Sequence, residues 1–250
     1  MRNEKDSMGN MQVPDDAYYG AQTQRAIQNF QISNRKIPNS MIRAIGIIKR
    51  SAAIVNSNLG IIDENIANAI VQSSEQVING DFNDQFLVDV YQTGSGTSSN
   101  MNANEIIANR ASEILGGKVG EKYPVHPNDH VNAGQSSNDV IPSAIHISAV
   151  VDISEKLIPS LNNLHASLLN KANEFNKYVK IGRTHLQDAT PILLGQEFSG
   201  YAEQIKNCIK RLDKSLDEMI ELAIGGTAEG TGINTHQKFG KNISKEIADY

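Results

Sequence analysis

The stretch Gly182-Arg183-Thr184-His185-Leu186-Gln187-Asp188-Ala189-Thr190-Pro191 brings together a hydroxyl, an imidazole, an amide, a carboxylate and a guanidinium. A core segment has no use for that mixture, because each polar group left buried without a partner costs about 1–3 kcal/mol. His185 is the one side chain of the set that can carry a proton near pH 7. A lone loop histidine is ordinarily a solvated or capping group, so His185 gains weight only from company. Two upstream stretches supply it: Thr93-Gly94-Ser95-Gly96-Thr97-Ser98-Ser99-Asn100 and Gly134-Gln135-Ser136-Ser137-Asn138-Asp139. Each leads into a helical pattern, which points backbone N–H groups and a positive dipole end at one spot and suits a carboxylate or phosphate. The first is not a P-loop, since no Gly-Lys-Ser/Thr follows it. A third loop, Leu222 to Asn234, has the same glycine-threonine character. Ser, Thr, Asn and Gly are neutral donors, able to grip carboxylate oxygens without a large charge. Few acids stand in these loops, which argues against a glycosidase acid pair, and no Gly-x-Ser-x-Gly elbow is present.

Pro124 to Asn132 carries His126, Asp129 and His130. That spacing matches no familiar zinc motif and no Cys is near, so a turn rich in Asn, Asp and Pro is expected, with no metal site.

The elements that must position these groups read mainly as helices. Residues 1 to about 40 show no sustained period and read as an extended arm with short turns. A helix begins near Ser40, with Ile42, Ile45, Ile48, Ala52 and Val55 on one face, and Gly60 stops it. Asp63 is an N-cap for the next, which buries Ile66, Ile70, Val71 and Val77 and ends at Gly80. Residues 81 to 98 lose the pattern, and Met101 to Leu115 regain it. After Asp139, with Ser137 or Asn138 as N-cap, comes a very long helical segment. Its Ile153, Leu157, Leu161, Leu164 and Leu168 approach a heptad seam, with a kink expected at Pro159. Gly195 opens another long helix whose Ile205, Ile209, Leu212, Leu216 and Met219 form a matching seam. Two such antiparallel helices make a bundle core whose seams partner chains would share. Helical pattern resumes near His236 and reaches Tyr250 without a C-cap, glycine or proline, as in a chain cut within a helix.

The net charge of −5 over 250 residues argues against a nucleic-acid or membrane-surface partner. The single cysteine, Cys208, lies in a helical pattern between Ile205 and Ile209 and excludes an intrachain disulfide. The first residues carry acids and no apolar h-region, and no apolar run approaches the roughly 18 residues of a membrane span. A cytoplasmic protein is expected.

Gly94 through Ala111 resembles the first signature block of class II fumarases. His126 to Asp139 resembles their second and Gly182 to Pro191 their third. Asp6-Ser7-Met8-Gly9 through Tyr19-Gly20-Ala21-Gln22-Thr23-Gln24-Arg25 is similar as well, so the likeness covers essentially the whole chain. The superfamily also holds aspartate ammonia-lyases, argininosuccinate lyases and adenylosuccinate lyases. Aspartases usually carry Gln in place of His185 and Ser-Thr-Asn in place of Ser136-Ser137-Asn138, so both positions favour fumarase. The resemblance implies a mainly α, aspartase/fumarase-like fold: an N-terminal lyase domain over 1–135, then the first long helices of a central bundle over 136–250. It implies a homotetramer that hydrates fumarate reversibly to L-malate with no metal or organic cofactor. Ser95, Gly96, Thr97, Ser136, Ser137, Asn138 and Thr184 would bind substrate. His185 would activate or orient water, paired with an acid from another subunit. His126, Pro127, Asn128 and Asp129 would form a secondary anion site. The family's serine-rich loop, whose serine takes the carbon-bound proton, and the matching lysine and asparagine fall beyond Tyr250, so residues 1–250 alone are expected to be inactive. Glu229 stands where the family carries a small apolar residue, with no role evident. The competing readings are an aspartate ammonia-lyase and a non-catalytic helical assembly protein that keeps the fold without the chemistry.

Overall fold

The computed structural model describes residues 1–250 and is mainly helical, as the resemblance implies. It divides into two compact units, Met1–Ser148 with Leu222–Tyr250, and Ala149–Glu221.

The first unit opens with an antiparallel hairpin, β1 (Arg2–Asp6) and β2 (Gly9–Val13), followed by α1 (Ala21–Asn29). The arm read from sequence as extended therefore contains a helix. Its caps are remote: Glu105 accepts from the N–H groups of Gly20, Gln22 and Thr23, and Glu4 accepts from that of Ala21. No local signal marks such a start.

Helix α2 (Asn39–Asn58) and α3 (Glu64–Asn79) fall where the apolar period and the punctuation predict. Asp63 accepts the N–H of Asn65, and Gly80 closes α3 with φ +91°. Ile42, Ile45, Ile48, Ala52 and Val55 of α2 are all buried, against Ile70 and Val77 of α3. Ile66 and Val71 are only half-buried. Helix α4 (Thr97–Ile114) completes the core with Ala103, Ile106, Ile107 and Ala111. Met101 and Ala108 are buried there too, and most of the remaining buried residues are polar, several of them posts for loops. Asn102 donates to Gln85 O, and Asn109 donates to Tyr18 O while accepting from Gly120 N. Ser112 Oγ exchanges bonds with the backbone of Val125. Helix α5 (Ser137–Asp152) starts in this unit, and α8 (Phe239–Ala248) seats Phe239 and Ile243 in the core.

In the second unit the single long helix expected around Pro159 is instead interrupted. One π-type turn, Ile153–Leu157, separates α5 from α6 (Ile158–Phe175). Pro159 stands in the first turn of α6, directly after that π-type turn. A hairpin, β3 (Val179–Thr184) and β4 (Gln187–Leu193), leads into α7 (Leu194–Met219). The end of α6 meets the start of α7. Phe175 and Phe198 rings lie 5.1 Å apart, and a Cβ on Gly195 would stand 2.3 Å from Ala172 O. Only glycine permits that approach. Within this single chain the predicted seams are poorly covered: Ile153, Leu161, Leu168 and the five residues of α7 are half-buried, while Leu157 and Leu164 are exposed.

Candidate active site

Helix α4 begins after Gly96, whose φ of +67° turns the chain into the helix. Gly96 is needed twice over, since a Cβ there would also lie 3.1 Å from the Ile141 side chain on α5. The close approach brings the N-terminal ends of α4 and α5 together. Gln92 fastens the α4 end, accepting from Ser99 N and donating to Ser99 Oγ, both at 2.8 Å. Ser136, rather than the expected Ser137 or Asn138, caps α5: its Oγ accepts from Asn138 N at 3.3 Å, and its carbonyl accepts from Asp139 N and Val140 N. The shift by one residue leaves the Ser137 and Asn138 side chains free of capping.

Between the two ends lies a cavity of about 280 Å³ lined by Gly94, Ser95, Gly96, Ser137, Asn138, Ile141, Pro142 and Ile145. Its polar lining is hydroxyl, amide and backbone, with no charged side chain. Thr97 reaches Ser95, the two hydroxyls 2.9 Å apart. Such a site offers neutral donors and two positive helix ends, the equipment for holding a carboxylate.

The third glycine loop is fastened to the second. The Asp139 carboxylate, 1% exposed, accepts from Ser136 N at 2.9 Å, Gly225 N at 3.0 Å and Thr227 N at 2.8 Å. Asn138 Nδ2 donates to Ala228 O at 2.8 Å, and the neighbouring Glu229 is exposed. Asp139 was visible in the sequence only as the end of a loop. Its organising role was hidden because two of the three N–H groups it holds lie nearly ninety positions downstream. Lys49, wholly buried on α2, was missed as well. Its place in the helical period, four after Ile45 and three before Ala52, was the available signal.

His126 Nδ1 accepts from Asn128 N at 3.3 Å and Asp129 N at 3.2 Å, capping a single π-type turn over Pro127–Val131. His126 N donates to His130 Nδ1 at 2.9 Å. Burial pushes the His130 imidazole below its usual pKa, partly opposed by Asp129. Pro127 is buried, while Asn128 and Asp129 are exposed.

Thr184 and His185 belong to the second unit. Thr184 pairs with Gln187, so His185 and Leu186 are the two central residues of the β3–β4 turn. Their φ values, +50° and +59°, define a type I′ turn, which normally wants Asn-Gly. Leu is ill at ease in the left-handed region, where His is better tolerated but still uncommon, and such strain gathers at functional positions. Both side chains are exposed, and Arg183 pairs with Asp188 across the strands at 3.2 Å.

Comparison with known proteins bears on these arrangements. A family model described as "Lyase" matches residues 9–250. The chain is similar to the class II fumarate hydratase of Nitrosomonas europaea, with 54% identity over 247 residues, covering 99% of this chain and 54% of that protein. It is similar to the mitochondrial fumarate hydratase of Homo sapiens at 51% identity over 249 residues, 99% of this chain and 49% of that one. The solved class II fumarase of Schistosoma mansoni superposes with a TM-score of 0.95 at 41% identity, over 99% of this chain and 52% of its own. The chain thus spans about half the length of the curated relatives it matches.

Proposed function

The chain belongs to the lyase family, and from that premise we propose that it is the N-terminal half of a fumarate hydratase, which adds water to fumarate reversibly to give L-malate. The observation that carries the reading is the cavity at the α4 and α5 ends, where Ser95, Gly96, Ser137 and Asn138 offer only neutral donors. Removing a proton beside a carboxylate builds an enediolate-like group of double negative charge. Fixed hydroxyl, amide and N–H donors stabilise that charge as it develops, without reorganising. Thr97 and Ser136 complete the donor set. In the assembled protein Thr184 and His185 arrive from another subunit, Thr184 on the dicarboxylate and His185 on the attacking water. The strained turn under His185 supports a positioned imidazole rather than an idle one. His126, Pro127, Asn128 and Asp129 form a secondary anion site away from the chemistry. The reading needs no metal or organic cofactor.

Residues 1–135 act as the lyase domain and 136–250 as the opening part of a central bundle. The half-covered seams of α6 and α7 support a homotetramer in which other subunits bury them. A cytoplasmic setting fits the acidic balance, with neither nucleic acid nor membrane as partner, and no helix is long and apolar enough to cross a membrane. The carbon-proton acceptor lies outside residues 1–250, so this stretch alone should not turn over fumarate.

The test follows fumarate absorbance with the full-length protein, with and without ammonium. Hydration without ammonium is expected. Turnover that requires ammonium would assign an aspartate ammonia-lyase instead, and no turnover in either arm would favour the non-catalytic assembly protein.

A further inference from the structure

We propose that Lys49 is a positioning residue that fixes Ser137 as a hydrogen-bond donor into the cavity, acting through Asn132 and Asn100. The inference rests on the reading of that cavity as a carboxylate site.

Lys49 Nζ donates to Asn132 Oδ1 at 2.8 Å and to Gln135 Oε1 at 2.9 Å. An ammonium has donors only, so it holds both amides with their oxygens toward itself. Asn132 Oδ1, held in this way, also accepts from Asn100 Nδ2 at 3.3 Å. Asn100 must therefore present its NH2 group on this side, and that same nitrogen donates to Ser137 Oγ at 3.0 Å. A hydroxyl that accepts from Asn100 directs its own proton elsewhere, and Ser137 lines the cavity. One cation thus sets the sense of three successive hydrogen-bonding groups and ends at the hydroxyl of a residue that lines the cavity.

Two further observations support an imposed orientation. Asn100 Oδ1 is buried with no partner, so the amide is kept in an arrangement that strands its acceptor. Gln135, with its oxygen on Lys49, donates Nε2 to Val131 O at 3.0 Å and Ala133 O at 3.2 Å, which pins the segment leading to Ser136. Burial pushes the Lys49 pKa down to about 7, opposed by the Asp139 charge. The ammonium, with donors only, is the form that imposes this sense, and the neutral amine keeps two N–H groups for the same two acceptors.

The experiment is a double-mutant cycle in the full-length protein, reading the Kd of succinate, an unreactive dicarboxylate. Ser137→Ala should weaken binding about 10- to 100-fold, the range of one hydrogen bond to a charged group. Lys49→Met should weaken it by a comparable factor. The double variant should lose no more than Ser137→Ala alone, because both changes remove one donor. Losses that multiply would overturn the proposal and leave Lys49 a general structural group. If Lys49→Met does not fold, Lys49→Gln takes its place in the same cycle with Ser137→Ala, since an amide there no longer imposes donors only. A full-length protein that binds no succinate overturns the proposed function together with this inference. Binding with a multiplicative cycle overturns the inference alone.

Discussion

Glu105 offers the most direct test of how the first unit is held. It is 2% exposed on α4, and its carboxylate takes the N–H groups of Gly20 at 2.9 Å and of Gln22 and Thr23 at 3.0 Å. These are donors at the α1 N-terminus that have no partner within the helix. Burial raises the Glu105 carboxyl pKa, while the three N–H bonds pull it the other way. Glu105→Ala removes the acceptor of all three. Gly20 and Thr23 are buried, so water cannot replace it there, whereas half-buried Gln22 can be rehydrated. At about 1–3 kcal/mol for each of the two stranded donors, the expected loss is about 2–6 kcal/mol. For a chain of this size that corresponds to a fall in Tm of about 4–24 °C. Urea unfolding followed by circular dichroism measures it, and hydrogen exchange should show α1 opening before α2 and α4. A loss below about 1 kcal/mol, or uniform exchange across the three helices, would refute the view that a carboxylate 85 positions away is what starts α1.

Other expectations are as specific. His185→Asn in the full-length protein should lower kcat about 10²–10⁴-fold with little change in KM, as steady-state kinetics would show. His126→Ala should leave turnover nearly intact while costing about 0.5–2 kcal/mol of stability, because its Nδ1 caps a turn and touches no chemistry; kinetics and denaturation on one preparation check both halves. Gly96→Ala should cost at least about 1–2 kcal/mol by denaturant titration and also weaken succinate, since a methyl there meets Ile141 and strains a left-handed φ. Asp89 is pushed upward by burial, but bonds from Tyr91 N, Ser33 N, Ser33 Oγ and Asn34 N outweigh that and hold its pKa at about 2, below the ordinary 3.8. In that window the unfolded chain binds more protons, so the contribution is full above about pH 4 and is lost as pH falls toward 2. Stability measured against pH should lose part of its acid slope in Asp89→Asn.

Much of the scaffold was legible because local chemistry decides it. Helices α2 and α3 carry a clean apolar period between Gly60, Asp63 and Gly80, and the two glycine-hydroxyl loops lie where they precede helices. What escaped was decided at a distance. Helix α1 starts on carboxylates from β1 and α4. Helix α4 was legible as a helix but not as a core element, because most of its buried Asn, Ser and Glu side chains bond to segments outside it. The β3–β4 hairpin was read as a loop because its turn holds His-Leu in place of Asn-Gly. The site divides the same way. The donors Ser95, Ser137 and Asn138 announced themselves by type, and one cavity does gather them. Asp139 and Lys49, which arrange those donors, could be recognised only once their partners were in place.

The turn at His185-Leu186 carries a warning for anyone who would engineer this chain. Asn-Gly at the tip would relieve two left-handed residues and tighten the hairpin, and substitutions of that kind are among the easiest routes to a hardier protein. A library sorted for expression or heat resistance would therefore drift toward Asn at 185 and Gly at 186. It would enrich clones that survive boiling and no longer carry an imidazole at that turn, and nothing in such a selection would report the loss.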